Sequence, residues 1–525
     1  MSGSQSTDAL VEELVAFCRS DSLSEDGLPE IIEKHSVNNN QVDNYGFFIV
    51  ACHNVRVTEG ILRCLLKYFS SAASATTSRG ETPLHFVCIN KNATCGMVQL
   101  LIDAFPGSLD RAINDGITPL HFLCFNKDID DSTAVDILGL LLERCPEAVQ
   151  VQLALTNGSG ALPIHIAAGQ GSKSPEFCRM LIEVYPGSER MTTPGGHLPF
   201  HIACRHGTVE TVQHLLRLYP ESINATNRVG TYPIQYAMKG LDERTNPAIA
   251  AEVVQLLLDF DPDVALQKMN SIFPLVMIKN YATNNRNNAS KVNAALKILQ
   301  LLYDVHPEVI EDDGITRYPP VIPREVLTFI NTQLAYARQA RNSTARQMKK
   351  RDENGQVPLH RALRVNVTLG SIKLLVKRNP SAVLAPDNSG ALPLHVAIQH
   401  HDSTKVVDYL IGLDSDTLTA MDREGNTALH LACLGVKHDT IALLLEKYGA
   451  LSVSQGNVCS KLPIHLLLES KAVTNREDNT KYTENVFQLL RAYPETVMLP
   501  GDAKQQSARY GRIPSRNGKK RKYCA

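Results

Sequence analysis

Histidine is the side chain best suited to metal binding or proton transfer near neutral pH. This 525-residue sequence places eight of them in one recurring setting. Each closes a short motif: Thr82-Pro83-Leu84-His85, Thr118-Pro119-Leu120-His121, Leu162-Pro163-Ile164-His165 and Leu198-Pro199-Phe200-His201, then Val357-Pro358-Leu359-His360, Leu392-Pro393-Leu394-His395, Thr427-Ala428-Leu429-His430 and Leu462-Pro463-Ile464-His465. Copies in the first group are spaced 36, 44 and 36 residues apart, and those in the second group 35 each. Units of that length stack about 8–10 Å apart, whereas zinc needs its nitrogens about 2 Å from one ion. The eight histidines are therefore expected to bond backbone between neighbouring repeats, as buried polar groups must.

The remaining chemistry-bearing residues point the same way. Cys52, Cys88, Cys124, Cys204 and Cys433 share a second recurring slot, and the twelve cysteines contain no Cys-x-x-Cys pair. A solitary repeated Cys reads as a small buried hydrophobe and implies a reducing compartment. No nucleophile elbow, zinc-protease helix or phosphate-binding loop occurs, and the glycines of Ser159-Gly160 and Pro194-Gly195-Gly196 fit turns. We expect no catalytic residue, no metal, no cofactor, no small-molecule substrate and no enzyme activity.

Net charge is −1, with 43% apolar and 20% charged residues. That composition suits a folded chain and gives no bulk basic face for nucleic acid. No apolar run is long enough to span a membrane, and Met1 to Ser6 carry no secretory pattern. The expected location is intracellular: cytoplasm, with the nucleus as the alternative. Lys519, Lys520, Arg521 and Lys522 form the basic core of the last residues, a candidate nuclear-import signal or a nucleic-acid or acidic-lipid contact.

The elements that position these residues repeat with them. A polar turn ends in Gly, as in Asp387-Asn388-Ser389-Gly390 and Asp422-Arg423-Glu424-Gly425, because Gly supplies the positive φ such turns need. Pro opens a short helix, where its missing N–H is harmless. A second helix carries Leu at i, i+3, i+4 spacing, for example Val212-Gln213-His214-Leu215-Leu216, and stops at an aromatic-Pro pair such as Tyr185-Pro186 or Tyr219-Pro220. No such unit buries its apolar face alone, so stacking must supply the core.

This grammar resembles the ankyrin repeat, whose signature is Thr-Pro-Leu-His followed by a Leu-rich helix. The nearest copies are Thr118 to His121 and Asn426-Thr427-Ala428-Leu429-His430-Leu431-Ala432-Cys433. The resemblance covers about residues 45–500 and implies an all-α fold, an ankyrin-repeat α-solenoid of helix–turn–helix units with short hairpin-like turns, about 10–12 repeats long. Copies that begin with Leu should lack the hydroxyl that helps fix the histidine. Degenerate copies place Ile49, Gln235 and Val276 in the His slot.

The expected domains are an N-terminal helical cap at 1–43, a first repeat array at 44–310, and a divergent repeat or hinge at 311–354. That segment holds one long basic helix from Glu325 to Arg351. A second array at 355–500 and a basic disordered tail at 501–525 follow. The family binds partners on its concave face, through turn tips and the late positions of the first helix. By register the protein-binding positions are Asn90, Asn126, Gln170, Arg205, His206, Lys239, Arg364, Gln399, His400 and Arg423, with Phe125 and Arg228 beside them. The expected function is a non-enzymatic scaffold or adaptor for one or more proteins. The alternative is a nuclear regulatory protein delivered through its tail to a transcription or chromatin complex. Nucleic acid is expected only at the tail.

Overall fold

The computed structural model describes residues 2–35, 45–113, 115–154, 160–307, 322–401, 403–448, 453–470 and 476–494. Helices carry the fold, and the one extended pairing among the described residues is an isolated bridge between Met269 and Ile272. The chain is an all-α solenoid of ankyrin-like repeats.

Each repeat is built as its sequence requires. The first helix starts at Pro, as in Pro119–Phe125, Pro163–Ala168, Pro199–His206 and Pro393–His400, after an extended Thr or Leu. The second helix starts behind a hydroxyl side chain that satisfies one of its open N–H groups. Thr94 accepts from the Met97 N–H, Ser174 from Phe177 and Thr208 from Thr211. Its buried face is a stripe such as Met97, Val98, Leu101 and Ile102, or Val406, Val407, Leu410 and Ile411. The Pro after the second helix starts a 3₁₀ turn, as at Pro106–Ser108 and Pro220–Asn224, so the stop is a built corner.

Turn tips chain together. The Asp387 carboxylate accepts the Ser389 and Ala391 N–H groups, and Asp422 does the same for Glu424 and Asn426. Successive tips then bond backbone to backbone: Arg423 N–H to Ser389 O and Val458 N–H to Glu424 O, both at 2.9 Å. Gly425 has φ +75°, and a Cβ there would meet Val458 N at 2.8 Å, so only glycine serves both the turn and the close approach.

The described residues divide into two compact units, one within 2–302 with 322–323, the other within 303–307 with 324–494. In the first, Ser2–Arg19 and Gly27–Lys34 place Leu10, Leu14, Cys18, Leu28 and Ile32 in the same core as Phe47 and Phe48 of the next helix. In the second, one core runs from Ala340 to Leu489.

Two sequence expectations need correction. Asn90 and Asn126 are not surface positions: they are 5% and 2% exposed. The Asn90 amide donates to Cys52 O and Asn54 O, and the Asn126 amide to Cys88 O and Asn90 O, at 2.9–3.1 Å. Each ends a first helix and closes the open carbonyls of the helix before it. Asn54 does the same for Cys18 O and Ser20 O. The continuous basic helix from Glu325 to Arg351 is instead two, Arg324–Asn342 and Ala345–Met348, because Thr344 caps a new turn with Gln347. The first helices Pro233–Glu243 and Pro274–Asn284 are longer than those of the other repeats, at 11 residues each.

Asn126→Ala removes the side-chain donor from Cys88 O and Asn90 O, of which Asn90 O keeps the Ala93 N–H, and this should cost about 1–3 kcal/mol. A lowered urea midpoint is the expected result. An unchanged midpoint would return Asn126 to the surface role.

Candidate functional site

Five of the eight motif histidines, His85, His165, His201, His395 and His430, are fixed from both sides, while the Nε2 of His121 is buried without a partner. Nδ1 accepts the backbone N–H three residues earlier: Thr82 to His85 at 3.1 Å, Leu162 to His165 at 3.2 Å, Leu198 to His201 at 3.1 Å and Leu392 to His395 at 2.9 Å. The proton therefore sits on Nε2, which meets a carbonyl of the next repeat. His165 reaches Met191 O and His197 O at 3.1 Å, His201 reaches Ala225 O at 3.2 Å, His395 reaches Ala420 O at 3.1 Å, and His430 reaches Lys461 O at 3.0 Å. His360 makes the second bond, to Ala391 O at 3.2 Å, while its Nδ1 is buried without a partner. His465 makes the first, from Leu462 N–H at 2.9 Å.

The Thr hydroxyls add a second contact on Nδ1, at 2.9 Å from Thr82 to His85 and 2.8 Å for Thr118–His121 and Thr427–His430. Copies with Leu lose that contact and keep the backbone bond. Burial pulls His85, His121, His165 and His201 down to about 4, so they are neutral at pH 7. Gln235 reproduces the arrangement without a ring, accepting from Tyr232 N–H at 2.6 Å and donating to Gln267 O at 2.7 Å. Burial likewise raises the thiols of Cys52, Cys88, Cys124, Cys204 and Cys433 far from thiolate chemistry.

The surface positions gather around one cavity in the first unit. Its volume is about 790 Å³. The first helices Pro163–Ala168 and Pro199–His206 contribute Ile166, Ile202 and His206, and Gln170 closes one side. The tips contribute Pro194, Gly195, His197 and Arg228, and Phe125, 39% exposed, adds an aromatic wall. His197 is held edge-on to Tyr236 and bonds Thr193 Oγ1 at 3.1 Å. Arg205 and His206 both meet the Glu243 carboxylate. Lys239 lies over the Tyr236 ring at 5.3 Å.

In the second unit Arg364, Gln399, His400 and Arg423 are exposed. Glu243 and the Ile166–Ile202 pair escaped the sequence reading. The signals for them were the extended helix to Glu243 and the residue directly after each motif histidine. Lys519, Lys520, Arg521 and Lys522 lie outside the described residues. Among the described residues no helix is long and apolar enough to cross a membrane.

The family model for the ankyrin repeat matches residues 424–457. These residues hold the turn at Asp422-Arg423-Glu424-Gly425 from Glu424 onward, the helices Ala428–Leu434 and His438–Tyr448, and the His430 bonds described above. No curated protein matches the chain significantly. The ankyrin repeat is a protein–protein interaction module.

The buried histidines make stability depend on pH. His165 falls from 6.5 to about 4 in the folded chain, so the unfolded chain binds the extra proton between those values. Stability is complete above pH 6.5 and falls as pH drops towards 4, by at most about 1.4 kcal/mol per unit for each such histidine. Urea unfolding at pH 7 and pH 5 should show the loss. His165→Gln, which copies the Gln235 arrangement, should flatten the slope; an unaltered slope would contradict the buried neutral ring.

Proposed function

Since residues 424–457 match the ankyrin repeat and the other units share its architecture, we propose that this chain is a non-enzymatic scaffold or adaptor that seats a protein partner on the face carried by its first helices and turn tips. The observation that supports this reading is the cavity between His165 and Arg228. It is large enough for an apolar side chain of a partner, walled by Phe125, Ile166 and Ile202, and rimmed by Gln170, His206 and Arg228. An apolar centre inside a polar rim is the anatomy of a protein interface, and an anchor residue entering such a pocket supplies much of the affinity. Arg205 and Lys239 flank it, and Arg364, Gln399, His400 and Arg423 extend the same register in the second unit.

Phe125→Ser combined with Arg228→Glu alters the wall and the rim while leaving the buried bonds intact. Proximity labelling followed by mass spectrometry should then lose the partners that the unaltered chain labels, with the melting temperature unchanged. An identical partner list would remove the cavity from the interface.

A second reading rests on sequence alone. Delivery to the nucleus through Lys519, Lys520, Arg521 and Lys522 would place the scaffold in a regulatory complex there. Deleting these residues from a fluorescent fusion should shift it to the cytoplasm; unchanged localisation rules the signal out.

A further inference from the structure

The basic segment singled out in the sequence has no part in the face described above. Between Arg338 and Arg351 the chain carries six cations and no acid. The break after Asn342 lies at a groove of about 610 Å³ in the second unit, lined among others by Arg338, Gln339, Asn342, Ser343, Gln347 and Arg361. We propose that this groove binds a phosphorylated serine or threonine in a peptide segment of a partner protein.

The first support is a break in the repeat pattern. Directly after the motif histidine, or the residue in its slot, the other units place Phe86, Phe122, Ile166, Ile202, Tyr236, Val396, Leu431 and Leu466. The unit at 358 places Arg361 there. A charge has replaced an apolar residue at the register position that lines the cavity in the first unit.

The second support is that the two guanidinium groups are unspent. Among the described residues Arg338 and Arg361 make no ion pair, and the Arg361 Nε is buried with no hydrogen-bond partner. Their neighbours are accounted for otherwise. Arg351 donates to Gly355 O at 2.9 Å and to Pro386 O. Arg341 sits in the last turn of its helix, where the helix dipole favours a cation. Arg338 lies a turn earlier and Arg361 on another helix.

The third support is the donor set. Gln347 Oε1 accepts from Thr344 N–H at 2.7 Å, which leaves its NH₂ as a donor. Asn342 and Gln339 add amides, Ser343 a hydroxyl, and burial keeps the Tyr336 phenol protonated. No carboxylate lines the groove. Two Arg forks with several neutral donors match a dianion of three free oxygens better than a carboxylate of two. Nucleic acid fits less well, because single strands need successive aromatic platforms and the groove offers one half-buried ring. The site is separate from the cavity of the first unit, so either can stand without the other.

The test uses the full chain on an array of phosphoserine and phosphothreonine peptides with degenerate flanks, each beside its unphosphorylated counterpart. The strongest spot is then measured by fluorescence anisotropy, with single-stranded oligo(dT) as competitor. Phosphorylation should raise affinity at least about tenfold. Arg338→Gln and Arg361→Gln should each remove about tenfold or more, the usual effect of losing a charged hydrogen-bond donor. Lys349→Gln, outside the lining, should change little. Circular dichroism checks the fold, and if Arg361→Gln fails to fold, the exposed Arg338→Gln carries the test. No phosphopeptide exceeding its counterpart overturns the proposal. So does a folded Arg338→Gln variant that binds like the unaltered chain, or oligo(dT) displacing the peptide at equal concentration.

Discussion

At six seams among the described residues, backbone carbonyls left open at the end of a first helix are closed by a buried or half-buried polar side chain from the next repeat. Where such a seam is buried, an unclosed carbonyl carries its desolvation cost. The donors vary. Asn54, Asn90 and Asn126 serve three consecutive repeats. Lys173, 1% exposed, reaches Asn126 O at 2.7 Å, and burial lowers its pKa. Arg244 reaches Gly207 O and Cys204 O, and in the second unit His401 reaches Val367 O. Six motif histidines run the opposite way, His85, His165, His201, His360, His395 and His430 each directing Nε2 at a carbonyl of the repeat ahead. Several repeats are therefore tied in both directions by polar contacts, while Leu, Ile and Val supply the bulk of the burial.

Much of this could be read from the sequence because it repeats. The Pro at each helix start, the Gly at each tip and the Leu spacing of each second helix are local signals, and local signals survive without knowledge of neighbours. Histidine was legible for a different reason. A polar residue that recurs once per unit cannot share a site with its copies, so its partner had to be backbone. Asn90 and Asn126 failed for want of that argument. They occupy the register in which the family exposes residues, and nothing local reveals that the carbonyls of Cys52 and Cys88 point at them. The basic helix failed at Ser343-Thr344, where a capping side chain outcompeted continued helix over one turn.

The candidate binding surface was legible as a face but not as a shape. Register placed Gln170, His206 and Arg228 on one side of the first unit. That Ile166 and Ile202 open a cavity between them depends on how two successive first helices meet. One position, the residue following the motif histidine, sets the chemistry of that surface repeat by repeat. Isoleucine gives an apolar wall, and arginine at 361 gives an anion-seeking groove. The scaffold bonds are made by the histidine itself and its backbone, so the neighbouring residue is free to vary without loosening the stack.

The span of each seam bond equips the array for change in its length. Asn126 reaches back 36 and 38 residues to its acceptors, and Asn90 reaches back the same distances to its own. Excising one such period would hand the donor of one repeat to the carbonyls of the repeat before last, with geometry preserved. Lys173 reaches back 47 residues, across the repeat that carries the longest motif spacing, and its longer side chain is matched to that register. Duplication or loss of whole units is thus nearly free where the asparagines lie, and restricted where the lysine stands. The history of such a chain should be recorded in which donor closes each seam.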